Sequence, residues 1–347
     1  MYYFCTLFDS GYLLRGITMY ESLMKHCDDF HLYIFAFDNK SYTTLKKLNL
    51  SNVTVISLSE FEDKELLRIK PSRSWTEYCW TCASSTILYV LKKYKIDTCT
   101  YLDADIYFFA SPKVLLNELN GNSVIITEHR YTPGHDSSTT SGKYCVQFVS
   151  FKNDKIGLEI LKWWRDKCID WCYNRIEPDR YGDQKYLDDW TTRFEGVHVL
   201  KHLGGGVAPW NVQQYKIFNK NNRIFAVEKS SKKTFQIIFY HFFALKFFQK
   251  GIVQLTSSCL LSNREINLIY KPYLNHLETI QKRLRRIDKS ICFSYPVSPR
   301  QPLTILEIIG LFIEDIRIEI AHLIKAILFI NTINRIHSDN FYYRDKL

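Results

Sequence analysis

Residues 98–109 read TCTYLDADIYFF: a β-branched and aromatic run, two aspartates one alanine apart, then four more apolar or aromatic residues. This composition predicts a strand over 98–109 that runs straight into carboxylates. The chain upstream tells what kind of sheet holds that strand. Residues 2–8 (YYFCTLF) read as a strand closed by a turn at Asp9-Ser10-Gly11, and 12–26 carries apolar residues at 13, 14, 17, 20, 23 and 24, close to helical period. A strand at 31–37, a short helix at 41–48, a strand at 52–58 and a long helix at 76–95 follow. The basic end of that last helix suits its dipole. Strands alternating with helices predict an α/β fold with a doubly wound, mostly parallel, Rossmann-like sheet.

Downstream the rhythm changes. Strands are expected at 123–128 and 143–152 around a polar loop, 129–142, then a helix at 154–174, a short helical stretch near 183–191, and strands at 196–200 and 236–240. From about 262 the chain becomes helical and basic, with Lys282, Arg283, Arg285, Arg286, Lys289 and Arg300 within 276–300. Pro296, Pro299 and Pro302 precede an amphipathic stretch at 303–336. Two units are expected: 1–260 as the catalytic part and 261–347 as a helical appendage.

Composition sets the outer bounds. With 46% hydrophobic and 24% charged residues the chain is globular rather than disordered. Lys+Arg 46 against Asp+Glu 36 leaves a charge of +10, which suits a phosphate-bearing partner. The ten cysteines follow no disulfide framework, and Cys79-Trp-Thr-Cys82 is a lone CxxC inside a predicted helix, expected to hold buried thiols. The N-terminal segment has no basic region and meets Asp9 early, and no uncharged apolar run reaches 18 residues. A cytoplasmic protein is expected. GxxxxGK[ST], HExxH and GxSxG are all missing, which removes the residues that P-loop, zincin and hydrolase-elbow chemistries need.

In an open α/β sheet ligands bind beyond the carboxyl ends of the strands, where Tyr101-Leu102-Asp103-Ala104-Asp105-Ile106 is placed. Two carboxylates leaving a strand on one side suit a hard divalent cation that keeps positions open for phosphate oxygens. His241, in Tyr240-His241-Phe242 after an apolar strand, is a candidate third ligand or a satisfied core histidine. In Tyr181-Gly182-Asp183-Gln184-Lys185 a carboxylate and an amide could bond polyol hydroxyls, or Asp183 could cap a helix. His202-Leu-Gly204-Gly205-Gly206-Val-Ala-Pro209-Trp210-Asn211 allows close backbone approach to a ligand and a stacking face at Trp210; a flexible surface loop is the plainer expectation.

The order of these features over residues 2–250 resembles the metal-dependent GT-A glycosyltransferases, most nearly the glycosyltransferase family 8-like group. The resemblance implies a nucleotide-sugar donor, UDP-sugar by preference, bound by Thr6, Phe8, Asp9, Tyr12 and Arg15, with Asp38 closing the nucleoside site. It implies Mn²⁺ or Mg²⁺ held by Asp103, Asp105 and His241, with Asp103 also facing the donor, and Asp183-Gln184 near the donor sugar as catalytic residues. Where that family carries Asn-x-Gly, this chain has Cys145-Val146-Gln147. In place of a Gly and Lys-Pro-Trp run after the late histidine it has Phe242 to Lys246, so that Gln147 and Lys246 become the donor contacts at those positions.

The implied reaction is sugar transfer with retention to a glycan or lipid-linked acceptor, as in bacterial surface-polysaccharide synthesis. In an inverting enzyme Asp183 would be the base. A sugar-nucleotide nucleotidyltransferase and a basic nucleotide- or nucleic-acid-binding protein are the competing classes. The first lacks its Gly-rich loop at Asp9-Ser10-Gly11-Tyr12, and the second would spread its charge along one face, so no nucleic acid is expected. Segment 276–336 fits docking at the inner face of the cell membrane. It equally fits packing on the catalytic part or on a second subunit, since its acids are repelled by anionic lipid.

Overall fold

The computed structural model describes residues 1–248, 252–257, 259–289 and 341–343. Strand β1 (Tyr2–Phe8) leads into α1 (Leu13–His26), β2 (Phe30–Ala36), α2 (Asn39–Leu48) and β3 (Val53–Ser57); three short helical segments then precede α3 (Trp75–Tyr94) and β4 (Thr98–Leu102). Local chemistry places the helix starts: Asp38 and Ser74 each form a reciprocal capping box, with Ser41 and Glu77. After a short strand β5 (Ile106–Phe108) come β6 (Val124–Glu128), β7 (Tyr144–Lys152), α4 (Lys155–Asp170) and β8 (Val197–Val199).

The main sheet has seven strands in the order β3-β2-β1-β4-β7-β6-β8. β1, β2, β3 and β4 run parallel, β7 is antiparallel to both neighbours, and β6 and β8 are parallel to each other. The sheet is therefore mixed and mostly parallel. Alternate residues of β1 feed separate cores: Phe4 and Phe8 pack on the α1 side, Cys5 and Leu7 on the α3 and α4 side. Order reverses between β1 and β4, which pair only at Phe4↔Thr100 and Cys5↔Tyr101. Beyond that point lies the crevice where open α/β sheets take their ligands.

Four expectations need correction. The stretch 98–109 is two strands rather than one. A turn over 103–105 carries β5 out of the main sheet to pair antiparallel with β12 (Phe239–His241), Ile106 opposite His241. Composition cannot register such a change of partner. Likewise 236–240 is no single strand: a three-stranded antiparallel sheet of β9 (Tyr215–Lys220), β10 (Arg223–Glu228) and β11 (Thr234–Gln236) ends at Gln236, and β12 begins three residues on. Its first hairpin turns at Asn221-Asn222, both at positive φ, a turn signal present in the sequence. His241 thus lies within a strand rather than after it. Finally, segment 204–211 is buried throughout, so it is no surface loop.

The helix α5 (Lys271–Ile287) lays Tyr273, Leu274, Leu277, Ile280 and Leu284 into the core that also contains α1. Glu21 on α1 meets His276 at 2.8 Å and Arg283 at 2.6 Å. Part of the basic segment is thus paired with the body of the protein. The amphipathic stretch 303–336 lies outside the described residues. Among the described residues no helix is long and apolar enough to cross a membrane.

Candidate functional site

Three strands converge at the carboxyl end of β4. The backbone N–H of Asp103 donates to the Gln147 carbonyl on β7 at 3.1 Å, and that of Phe242, just past β12, donates to the Asp105 carbonyl at 2.9 Å. These bonds set Asp103, Asp105, Gln147 and His241 around one point. His241 Nε2 lies 3.1 Å from Asp105 Oδ1 and 3.8 Å from Asp103 Oδ2. On the far side of the ring, Nδ1 lies 2.8 Å from Gln147 Oε1. A carbonyl oxygen only accepts, so Nδ1 carries a proton, and Nε2 is the nitrogen turned towards the carboxylates.

The environment separates the two carboxylates. Burial pushes Asp103 up to about 6 against the pull of His241. Burial acts on Asp105 in the same sense, but His241 and then Arg15 outweigh it and hold Asp105 below the usual range. His241 is itself raised: burial disfavours its charge, and Asp105 and Asp103 overcome that. A buried cationic imidazole between two acids is a place that a divalent cation can take over by displacing a proton.

The donor set fits such a cation. Among the described residues, the group whose ligand atoms all lie within 4.8 Å of one another is Asp103, Cys145 and His241. Asp105 adjoins it through His241. The Gln147 amide oxygen already orients the histidine from behind, as metal-bound imidazoles require. Of the expected donor contacts, the fully buried Gln147 Nε2 and Thr6 Oγ1 have no hydrogen-bond partner among the described residues.

The other expected site residues divide by what they already hold. Asp9 Oδ1 accepts from the backbone of Gly11 and Tyr12, and its Oδ2 from the Trp75 indole at 2.8 Å. Asp38 accepts from Ser10 N and Ser41 N, and these bonds keep its carboxyl below the usual range despite burial. Both carboxylates thus shape the β1–α1 turn at the crevice. Phe8 is buried, its ring against Gly16 of α1, while Tyr12 is exposed with the Arg15 guanidinium 4.6 Å from its ring centre. Arg15 is buried and donates to the Leu245 carbonyl at 2.7 Å, which ties α1 to the residue before the exposed Lys246, where a short strand begins.

Asp183 is buried, and burial first and the charge of Asp103 second push its carboxyl up to about 8. Gln184 donates from Nε2 to the Ser141 carbonyl at 2.6 Å, and the buried Lys185 ammonium donates to the Thr139 carbonyl. Together they fasten the 138–141 turn of the polar loop rather than projecting freely.

Two features escaped sequence reasoning. Cys145 sits one strand period before Gln147 on the same face of β7, and nothing local marks it. Arg130 donates to the carbonyls of Leu200, His202, Leu203 and Gly205, four residues scattered along the glycine segment. Glycine is required there: a Cβ on Gly204 would lie 1.9 Å from the Gln236 carbonyl oxygen, and one on Gly206, at φ +92, would lie 2.8 Å from Thr127 and 3.0 Å from Gln147 Nε2. The segment also delivers Trp210, whose ring stands 5.3 Å from His241 and 5.7 Å from the exposed Phe243. Tyr131, its ring 6.5 Å from that of Trp210, lines a cavity of about 560 Å³ together with Glu128, Arg130, Asp136, Lys143 and Asp188, among others.

The fold and site define an α/β protein with a mixed, mostly parallel sheet and a carboxylate–histidine cluster at its topological switch point. The chain belongs to the same family as the uncharacterized protein YfnD of Bacillus subtilis (strain 168), to which it is 33% identical over 282 residues, 80% of this chain and 89% of that one. It is also 28% identical over 247 residues to YfnF of the same organism, 69% of this chain and 80% of that one. No protein-family model matches. Similar solved structures include the galactosyltransferase LgtC in complex with donor and acceptor sugar analogs, with a TM-score of 0.48 at 10% identity over 80% of this chain and 95% of that one. The glycosyltransferase GlyE of Streptococcus pneumoniae TIGR4 gives a TM-score of 0.46 at 13% identity over 82% and 64%.

Proposed function

We propose that this protein is a metal-dependent glycosyltransferase that moves a sugar from a nucleoside-diphosphate donor, UDP-sugar by preference, to a glycan or lipid-linked acceptor in bacterial surface-polysaccharide synthesis. The observation that carries the reading is the convergence of Asp103 and Asp105 on His241 Nε2 while Gln147 holds Nδ1. Mn²⁺ or Mg²⁺ held by these residues would supply Lewis-acid stabilisation of the departing diphosphate.

The chain's own residues do the rest. The β1–α1 turn, shaped by Asp9 and Asp38, offers Tyr12 as a face for the base, and Lys246 lies exposed next to the Leu245 carbonyl that Arg15 holds. Asp183, protonated near neutral pH, donates to a sugar hydroxyl. Transfer breaks the bond from the anomeric carbon to the β-phosphate oxygen, whose electron pair leaves with the diphosphate. The acceptor oxygen bonds to that carbon on the same face and yields its proton to the departing phosphate, which gives retention. The polar cavity beside Tyr131 suits a saccharide acceptor in size and lining.

The test is a thermal-shift series of nucleoside diphosphates with and without Mn²⁺. A nucleotide that stabilises only with metal, and no longer does so in Asp103→Ala, supports the reading through linkage of binding to folding. No shift with any nucleotide, or an undiminished shift in folded Asp103→Ala, refutes it.

A further inference from the structure

We propose that Cys145 contributes its thiolate to the cation at Asp103 and His241, so that the site prefers a borderline-soft divalent ion over Mg²⁺. The proposal rests on the metal-dependent reading above and deepens it by naming the class of ion.

The geometry leads there from the strand. Side chains alternate along β7, so Cys145 and Gln147 share a face while Val146 packs into the opposite core. Gln147 uses that face to hold His241 Nδ1, and Cys145 therefore meets the same imidazole from one strand period away. Its sulfur, a carboxylate oxygen of Asp103 and a ring nitrogen of His241 all lie within 4.8 Å of one another. A cation entering among the three needs only small side-chain movements to reach sulfur at about 2.3 Å and imidazole nitrogen at about 2.0 Å, the lengths usual for zinc. Cys145 is buried beside Trp210 and Ala208, which shields the thiol from competing water.

The chemistry then separates metals. Mg²⁺ takes oxygen ligands in a near-octahedral shell, and a sulfur and a nitrogen at the site give it little. Mn²⁺, Co²⁺ and Zn²⁺ accept imidazole, and thiolate favours the softer end of that series. Binding breaks the Cys145 S–H bond and forms a sulfur–metal bond; the proton passes to solvent, and no electrons are exchanged. Without this role Cys145 would be a small apolar residue in an aromatic pocket, which is what many buried cysteines are.

The experiment is a CoCl₂ titration of the full chain, followed by absorption, with CoCl₂ as the only added ligand. The wild type is expected to develop visible d–d bands together with a near-ultraviolet sulfur-to-cobalt charge-transfer band. Cys145→Ser should keep the visible bands and lose the near-ultraviolet one; Cys145→Ala serves if the serine variant fails to fold. Asp103→Ala should lose both. Visible bands in the wild type without the charge-transfer band overturn the role of Cys145 and leave the metal reading standing. A charge-transfer band that persists in a folded Cys145 variant assigns the sulfur to another cysteine and also overturns it. No cobalt bands in the wild type overturn the proposal, and the nucleotide thermal shifts then decide the reading beneath it.

Discussion

Replacing Gln147 by Leu isolates the group that holds His241 from behind rather than facing the carboxylates. Its Oε1 is 2.8 Å from His241 Nδ1, and the side chain is fully buried. Leucine of similar volume leaves Nδ1–H without an acceptor, a loss of about 1–3 kcal/mol for a buried polar group. The ring then gains nothing from keeping Nε2 unprotonated towards the carboxylates. Second-shell partners of metal-bound histidines are worth about 10–100-fold in affinity, or roughly 1.4–2.7 kcal/mol, which agrees with that loss.

Stability should move less than affinity. The wild-type Gln147 Nε2 is itself buried without a partner, and leucine removes that unsatisfied donor along with the useful acceptor. The assay is the electron paramagnetic resonance signal of free Mn²⁺ in a titration of the full chain, run beside thermal melts. Gln147→Leu is expected to weaken Mn²⁺ by about 10–100-fold with a small change in Tm. Gln147→Glu, whose carboxylate accepts from Nδ1–H more strongly, should retain wild-type affinity or exceed it. Unchanged affinity in folded Gln147→Leu would refute the role of Nδ1 in aiming Nε2. Equal weakening in both variants would do the same.

Three further outcomes follow from the geometry. Gly204→Ala places a Cβ 1.9 Å from a backbone oxygen, so it should destabilise by about 3 kcal/mol or more; a Tm near wild type would show that the segment shifts freely. Arg130→Met strips its donor from four carbonyls and should cost at least about 3 kcal/mol in chemical denaturation, with cost under 1 kcal/mol counting against its bracing role. Asp183 binds its proton more tightly folded, at about 8, than unfolded, near 3.9, so its contribution to stability is present at low pH and lost as pH rises from about 4 to about 8. Asp183→Asn should flatten that fall in a metal-free melt series, and an identical pH slope in the variant would refute the assignment.

The sequence alone determined the alternation of strands and helices through β4, because hydrophobic period, capping residues and turn signals are local quantities. It also determined that two aspartates leave a strand end together and that a histidine follows on a late strand, since those depend only on order along the chain. What it could not determine is who meets whom. Asp9 and Asp38 read as donor contacts from their order along the chain, whereas the turn amides that their oxygens accept from are set by backbone geometry. The glycines at 204–206 read as allowing close approach to a ligand, and it is the protein's own Gln236, Leu200 and Gln147 that approach them. Above all, Gln147 and Cys145 reach His241 across more than ninety residues of chain. Only the antiparallel insertion of β7 beside β4, and the pairing of β5 with β12, bring them to one point. Such contacts arise from packing between strands distant in sequence, and periodicity within a strand has no means of recording its neighbour.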